Sequence, residues 1–334
     1  MVYRALSMIL LLSLGICGCH MVRMPEVKFQ GNSLDANPNY DQIVTHLQRT
    51  VHVLSSEIGE RNVGLKHKSL LKAADYIESR WQSYGLQTSR QTFNVGGLPC
   101  SNIEVIIPGG EQSDEVVVIG AHYDSAEGTP GANDNATGVA ALLYISEQMA
   151  AFKPRRTIKF VAFTNEEPPY FETENMGSWK YAVRAKKNNE SIVAMLSLET
   201  MGYYSDQPGS QDYPFPLSFF YPDQGNFIGF VGNYDSRQLV YDSITTFRQT
   251  SQFPSDGAAL PNVLPGIGWS DHWSFWQQGY AAIMITDTAL FRDPHYHTPD
   301  DTIDKIDFRR LAAVTFGMQE VIRRLAMDGP PPAS

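Results

Sequence analysis

Glu115-Val-Val-Val-Ile-Gly-Ala-His-Tyr-Asp124 is the stretch that decides the fold. Its β-branched residues run on without alternation. That is the pattern of a strand covered on both faces, as when helices pack on either side of a parallel sheet. The run closes on His122 and Asp124. Open α/β sheets bind ligands at the carboxyl ends of their strands, so these two polar side chains stand where chemistry is expected.

Outward from this strand, residues 157–164, 191–198 and 281–285 repeat the buried-strand pattern, and a short strand is expected around 227–231. Leu70, Ala74, Ile77, Trp81 and Tyr84 share one face of a helix that ends before Gly85. Residues 137–149 read as an apolar helix, capped by Asn135 or Thr137. Leu311, Val314, Met318, Val321, Ile322 and Leu325 make an amphipathic closing helix, and Gly329 with the prolines after it ends regular structure. Strands alternating with helices predict a three-layer α/β sandwich around a largely parallel central sheet. One domain is expected over residues 38–328, with a tail at 329–334. Residues 203–265, rich in Tyr, Pro, Gly and Ser, read as a long insertion beside the site.

A formal charge of −10 and the lack of a basic stripe exclude a nucleic-acid partner. Arg4 precedes a short apolar run, Ala5 to Ile16, too short to span a bilayer and typical of a secretory leader. The run meets Ile16-Cys17-Gly18-Cys19, which resembles a bacterial lipoprotein cleavage box. Residues 1–19 are therefore expected to be a lipoprotein-type signal peptide. Cys19 would carry a lipid anchor, and residues 20–37 would form a flexible tether. The expected address is an outer-membrane or periplasm-facing lipoprotein, or otherwise a secreted protein. With Cys17 removed and Cys19 lipidated, Cys100 alone remains and no disulfide framework is possible.

The chemistry lies in five stretches: GAHYDS, GANDNATG, TNEE, SLETMG and HYHTPDDT. Asp124, two residues after His122, can hold the second nitrogen of a metal-bound imidazole. Asp134 sits in a Gly/Asn loop able to turn sharply and present one carboxylate to two cations. Glu166 and Glu167 are adjacent, so on an extended segment they diverge, which suits one to a metal and the other to proton transfer. Glu199 closes an apolar strand where an unpaired charge is costly, and metal ligation accounts for its position. His295 and His297 compete for one ligand role, and the residues alone leave that choice open. Two imidazoles, a bridging carboxylate and two further carboxylates would leave each of two zinc ions a position for water.

In this order the motifs resemble the co-catalytic zinc aminopeptidases of the bacterial leucyl aminopeptidase and aminopeptidase Y type. That family is related to glutamate carboxypeptidase and glutaminyl cyclase. The resemblance spans residues 40–328 and implies a metal-dependent exopeptidase that binds two zinc ions and acts on peptides with a free N-terminus. It assigns His122, Asp134 and Glu199 to one ion, and Asp134, Glu167 and His297 to the other. Glu166 becomes the general base, Asp124 orients His122, and Tyr296 resembles a tyrosine that stabilises the oxyanion. Asp271 and His272, in Ser270-Asp271-His272, resemble an element that supports the site. The resemblance also implies a cis peptide bond after Asp134. Glu199 departs from the pattern, standing where better-known members carry Asp. Aromatics between Tyr213 and Tyr221 are expected to line an apolar-accepting pocket. A zinc carboxypeptidase, which would need arginines for the substrate carboxylate and has only Arg292 near a motif, is one alternative. A glutaminyl-peptide cyclotransferase is the other.

Overall fold

The computed structural model describes residues 21–25, 39–251 and 253–327. The expected leader, the lipidated Cys19, most of the tether and the tail lie outside them. In chain order the elements are α1 (Asn39–His52, continued in a wider coil by Val53–Ile58), α2 (His67–Ser83), β1 (Thr88–Val95), β2 (Leu98–Ile107) and β3 (Gln112–His122). A kinked turn, Ala132–Thr137, leads into α3 (Gly138–Met149), β4 (Arg156–Phe163), α4 (Gly177–Lys187) and β5 (Ser191–Glu199). Then come β6 (Ile228–Gly232), α5 (Arg237–Thr250), β7 (Ser255–Ala259), α6 (His272–Gln277), β8 (Ala282–Thr286) and α7 (Phe308–Met327).

The strands form one sheet ordered β1-β2-β4-β3-β5-β8-β6-β7. Its centre, β4-β3-β5-β8, is parallel, as the unbroken apolar runs require. Its edges make it mixed. The β1–β2 hairpin joins β4 antiparallel, and β6 runs antiparallel to β8. The two faces of β3 explain its composition. Val117 and Ile119 enter a core built with α1, α2, α3, α5 and α7, while Val116 and Val118 meet α4 and α6 on the other side. Gly120 is required because a Cβ there would lie 2.2 Å from the Phe163 ring. Every apolar residue expected on the closing helix is buried in α7.

Residues 203–265 do more than expected of an insertion, since they supply β6, α5 and β7 to the sheet itself. The α4/α6 layer covers that face of the sheet only as far as β8. Over β8, β6 and β7 the same face carries the small cluster of Leu217, Ala258, Leu260 and Ile267, and a cavity opens there. Met21–Pro25, read in sequence as part of the tether, packs on this end of the domain. Met21 and Val22 join that cluster, and the Pro25 carbonyl accepts a 2.7 Å hydrogen bond from Arg248 Nη1.

Candidate metal centre

The parallel strands deliver their charges to one edge. His122 ends β3, Glu199 ends the neighbouring β5, and Glu166 and Glu167 follow β4. Asp134 reaches them from the kinked turn, where the Asp134–Asn135 peptide is cis, as the resemblance implied. Three side chains hold this turn. The fully buried Arg61 donates to the carbonyls of Tyr123, Pro130 and Gly131 at 2.6, 2.6 and 2.8 Å. The Asp301 carboxylate accepts the Asn133 and Asp134 amides at 2.7 and 3.1 Å. Asn135 donates to the Leu198 carbonyl and accepts the amides of Gly138 and Thr200, which joins the helix α3 cap to the end of β5. Gly131 adopts φ +63°, and a side chain there would collide with the Asp134 carbonyl.

The Asp134 carboxylate faces two imidazoles, with Oδ1 at 3.2 Å from His122 Nε2 and Oδ2 at 3.1 Å from His297 Nε2. Glu199 Oε2 lies 3.2 Å from the same His122 nitrogen, and Glu167 Oε2 lies 3.0 Å from His297 Nε2. Glu166 stands further back, 3.8 Å from His122 Nε2. Asp124 serves two neighbours, with Oδ1 3.5 Å from His122 Nδ1 and Oδ2 accepting the Glu167 amide at 3.1 Å. The choice between histidines is resolved by geometry. His295 Nδ1 turns to Asp293 at 2.8 Å, while His297 faces the carboxylates.

Burial and mutual charge govern these groups. Burial pushes the Glu166 carboxyl well up, with the His122 charge opposing and Glu199, Glu167 and Asp271 adding to the rise. Burial, reinforced by Asp134, raises Glu167 to about 8 against the pull of His297. Burial opposes a charge on His122, but Glu199 and Glu166 outweigh it and raise that imidazole. His297 likewise rises to about 11 despite burial, through Asp134 and Glu167. The cluster is thus an excess of acid shared between two imidazoles, with Asp134 Oδ1 and Glu167 Oε1 buried and accepting no hydrogen bond. Oxygen and nitrogen donors within 4.8 Å of one another form the sets His122–Asp134–Glu199, His122–Glu166–Glu167 and Asp134–Glu167–His297. Such mixed carboxylate and imidazole sets suit zinc, and a cation would satisfy the orphaned oxygens.

Ser270 proves closer than its two neighbours, donating to Glu199 Oε2 at 2.7 Å and pairing with Ser197 at 2.8 Å. Asp271 is fully buried and pushed by that burial to about 7, and His272 Nε2 donates to the Ile267 carbonyl at 2.8 Å. Tyr296 stacks on the His297 ring, with centroids 4.0 Å apart. Two supports escaped the sequence reading. Arg61 carries no local signal because most of its carbonyl partners are more than sixty residues away. Asp301 lay inside a quoted motif, and an acid just beyond the ligand histidine was the available clue.

The chain matches the description of Peptidase family M28 over residues 102–322. It belongs to that family. The M28 protein is a metal-dependent hydrolase, a zinc metallopeptidase whose substrates are peptides. It is 35% identical to the uncharacterised Escherichia coli protein YfbL over 302 residues, covering 86% of this chain and 90% of that one. A probable leucine aminopeptidase of Arthroderma otae is 30% identical over 220 residues, covering 62% of this chain and 52% of the relative. The Legionella pneumophila aminopeptidase LapA shares the fold, with a TM-score of 0.69 at 18% identity over 92% of this chain and 78% of LapA. Beside the candidate metal centre opens a cavity of about 110 Å³, with Glu199 and Tyr296 among its lining residues. Arg292 is not among the residues lining that cavity, and its Nη2 is buried without a hydrogen-bond partner. It is buried and bonded to Gln211 and to the Phe227 carbonyl.

Proposed function

We propose that the protein is an aminopeptidase that hydrolyses N-terminal residues from peptides with a water activated at a two-zinc centre. The observation that carries this reading is the Asp134 carboxylate, which turns one oxygen to each of two imidazoles. His122 and Glu199 would complete the holding of one ion, and Glu167 and His297 the other. Zinc bound there supplies Lewis acidity, lowering the pKa of water and polarising the scissile carbonyl. Glu166 lies beside these ligands rather than among the closest pairs, a position that suits a group taking the water's proton and passing it to the leaving amine. Tyr296, whose hydroxyl burial keeps protonated, is the donor for the oxyanion. Asp124 positions His122 and the Glu167 backbone together. The leader motif supports a location outside the cytoplasm, with an anchor through Cys19.

The test is a panel of aminoacyl, N-blocked and glutaminyl substrates, run with and without chelator alongside zinc analysis. Chelator-sensitive turnover confined to free α-amines, with two zinc ions per chain, is expected. Turnover of N-blocked peptides bearing a free carboxylate, or cyclisation of N-terminal glutamine with one zinc, would replace this reading.

A further inference from the structure

The cavity beside the metal centre is floored by the sheet, and the strand register specifies its length. Glu199 on β5 pairs with Thr286 on β8, Thr286 with Gly229 on β6, and Gly229 with Asp256 on β7. Residues in one such row point to the same face, and all four line the cavity. Three inter-strand steps of roughly 4.8 Å place the Asp256 backbone about 14 Å from that of Glu199. Gly229 contributes no side chain, so nothing rises from the floor between Thr286 and Asp256. The walls are apolar and aromatic, with Tyr213, Leu217, Phe227 and Ala258 among them. Asp256 is the charge at the far end.

Its own neighbours meet that charge only loosely. Among the described residues Asp256 accepts no hydrogen bond, and its nearest cation is Arg248 Nη2 at 3.8 Å. The Arg248 donors are engaged elsewhere: Nη1 with Pro25, and Nε and Nη2 with Ser255. Arg292 sits behind the wall, bonded to Gln211 and the Phe227 carbonyl. Burial pushes the Asp256 carboxyl up to about 6, with both arginines opposing, so it is largely ionised at neutral pH.

We propose that Asp256 makes this cavity a receptor for a cationic N-terminal side chain, so that the peptides cleaved begin with lysine or arginine. The inference rests on the aminopeptidase reading above. With the scissile bond at the metal centre, the aliphatic stem lies over Gly229 between apolar walls, and the ammonium or guanidinium meets Asp256. The sequence expectation of an apolar-accepting pocket lined between Tyr213 and Tyr221 matches the walls, and Asp256 adds a charge it did not include.

The experiment compares lysyl, arginyl, norleucyl and leucyl amides on the zinc-loaded enzyme, norleucine being lysine without its charge. The expected result is kcat/KM for lysyl at least tenfold above norleucyl, and a fall of that ratio by tenfold or more in Asp256→Asn. Free lysine is also expected to inhibit the wild-type enzyme more tightly than free norleucine. That measurement decides the matter if the variant does not fold. A wild-type enzyme that hydrolyses norleucyl or leucyl amides as well as lysyl overturns the assignment of Asp256 and leaves the aminopeptidase reading standing. So does a lysyl preference that Asp256→Asn does not move. Failure to hydrolyse any aminoacyl amide overturns both.

Discussion

Glu166 and Glu167 are adjacent in sequence and separated in role by a small difference in reach. Glu167 approaches His297 to 3.0 Å, and Glu166 comes no nearer than 3.8 Å to His122. Glu166→Gln keeps the shape and removes the proton acceptor, so kcat should fall roughly 10²–10⁴-fold with zinc content unchanged. Loss of a zinc ion from that variant, measured by elemental analysis, would exchange the two roles. Arg61 is the residue on which the Asp134 turn hangs. Arg61→Met strands several buried carbonyls and should lower stability by roughly 3 kcal/mol or more, read from the urea midpoint. Arg61→Lys should not restore it, because an ammonium lacks the planar fork that reaches Tyr123, Pro130 and Gly131 together. At this scale much of the candidate site was legible in sequence, His122 and Glu199 as charges closing apolar strands and Asp134 in a glycine turn, whereas His297 was preferred to His295 only through the resemblance. Arg61 was not legible, because its meaning is a set of distant carbonyls.

The short helix α6 carries a pH-dependent contribution to stability. Burial lowers His272 to about 4, and the neutral ring sits edge-on to Trp276 with centroids 4.5 Å apart. A folded pKa below the ordinary 6.5 means that the unfolded chain gains a proton as pH falls and the folded chain does not. The contribution is fully present above 6.5, declines toward pH 4, and amounts at most to roughly 3 kcal/mol. Urea midpoints of chelator-treated wild type should therefore fall more steeply between pH 6.5 and 4 than those of His272→Gln. Parallel curves would rule the residue out as a source. The central strands and the closing helix were legible because each buries an uninterrupted apolar run or stripe. β7 was not, because Ser-Asp-Gly-Ala-Ala has no β-branched residue and gains its strand geometry only from pairing with β6. The β1–β2 hairpin was missed for a related reason, since β1 is polar and much of it is exposed.

For the molecule as a whole, the candidate ligands come from residues 122 to 297 and meet only when β3, β4 and β5 are paired. The core that pairs them contains no metal ligand, so chelation should abolish activity while the far-ultraviolet circular dichroism persists. Added zinc should then raise the Tm with concentration, as any ligand specific for the folded state does. Collapse of the spectrum on chelation would show that the fold depends on the metal. Replacing Cys19 with Ser should convert a membrane-fractionating protein into a soluble, active one, and a wild-type enzyme already soluble with its leader intact would contradict the anchor.

Met21 and Val22 touch the cluster that borders the cavity, and Met24 fills the space a side chain at Gly257 would need. Cys19 precedes Met21 by two residues, which at full extension span only about 7 Å. A lipid at Cys19 would therefore hold the β7 edge of the sheet against the bilayer instead of suspending the domain on a leash. Orientation, seldom specified for a tethered enzyme, would be fixed by these first packed residues. Turnover would then follow the concentration of peptide within a Debye length of the lipid surface, about 10 Å at 0.1 M salt, and not its concentration in the bulk.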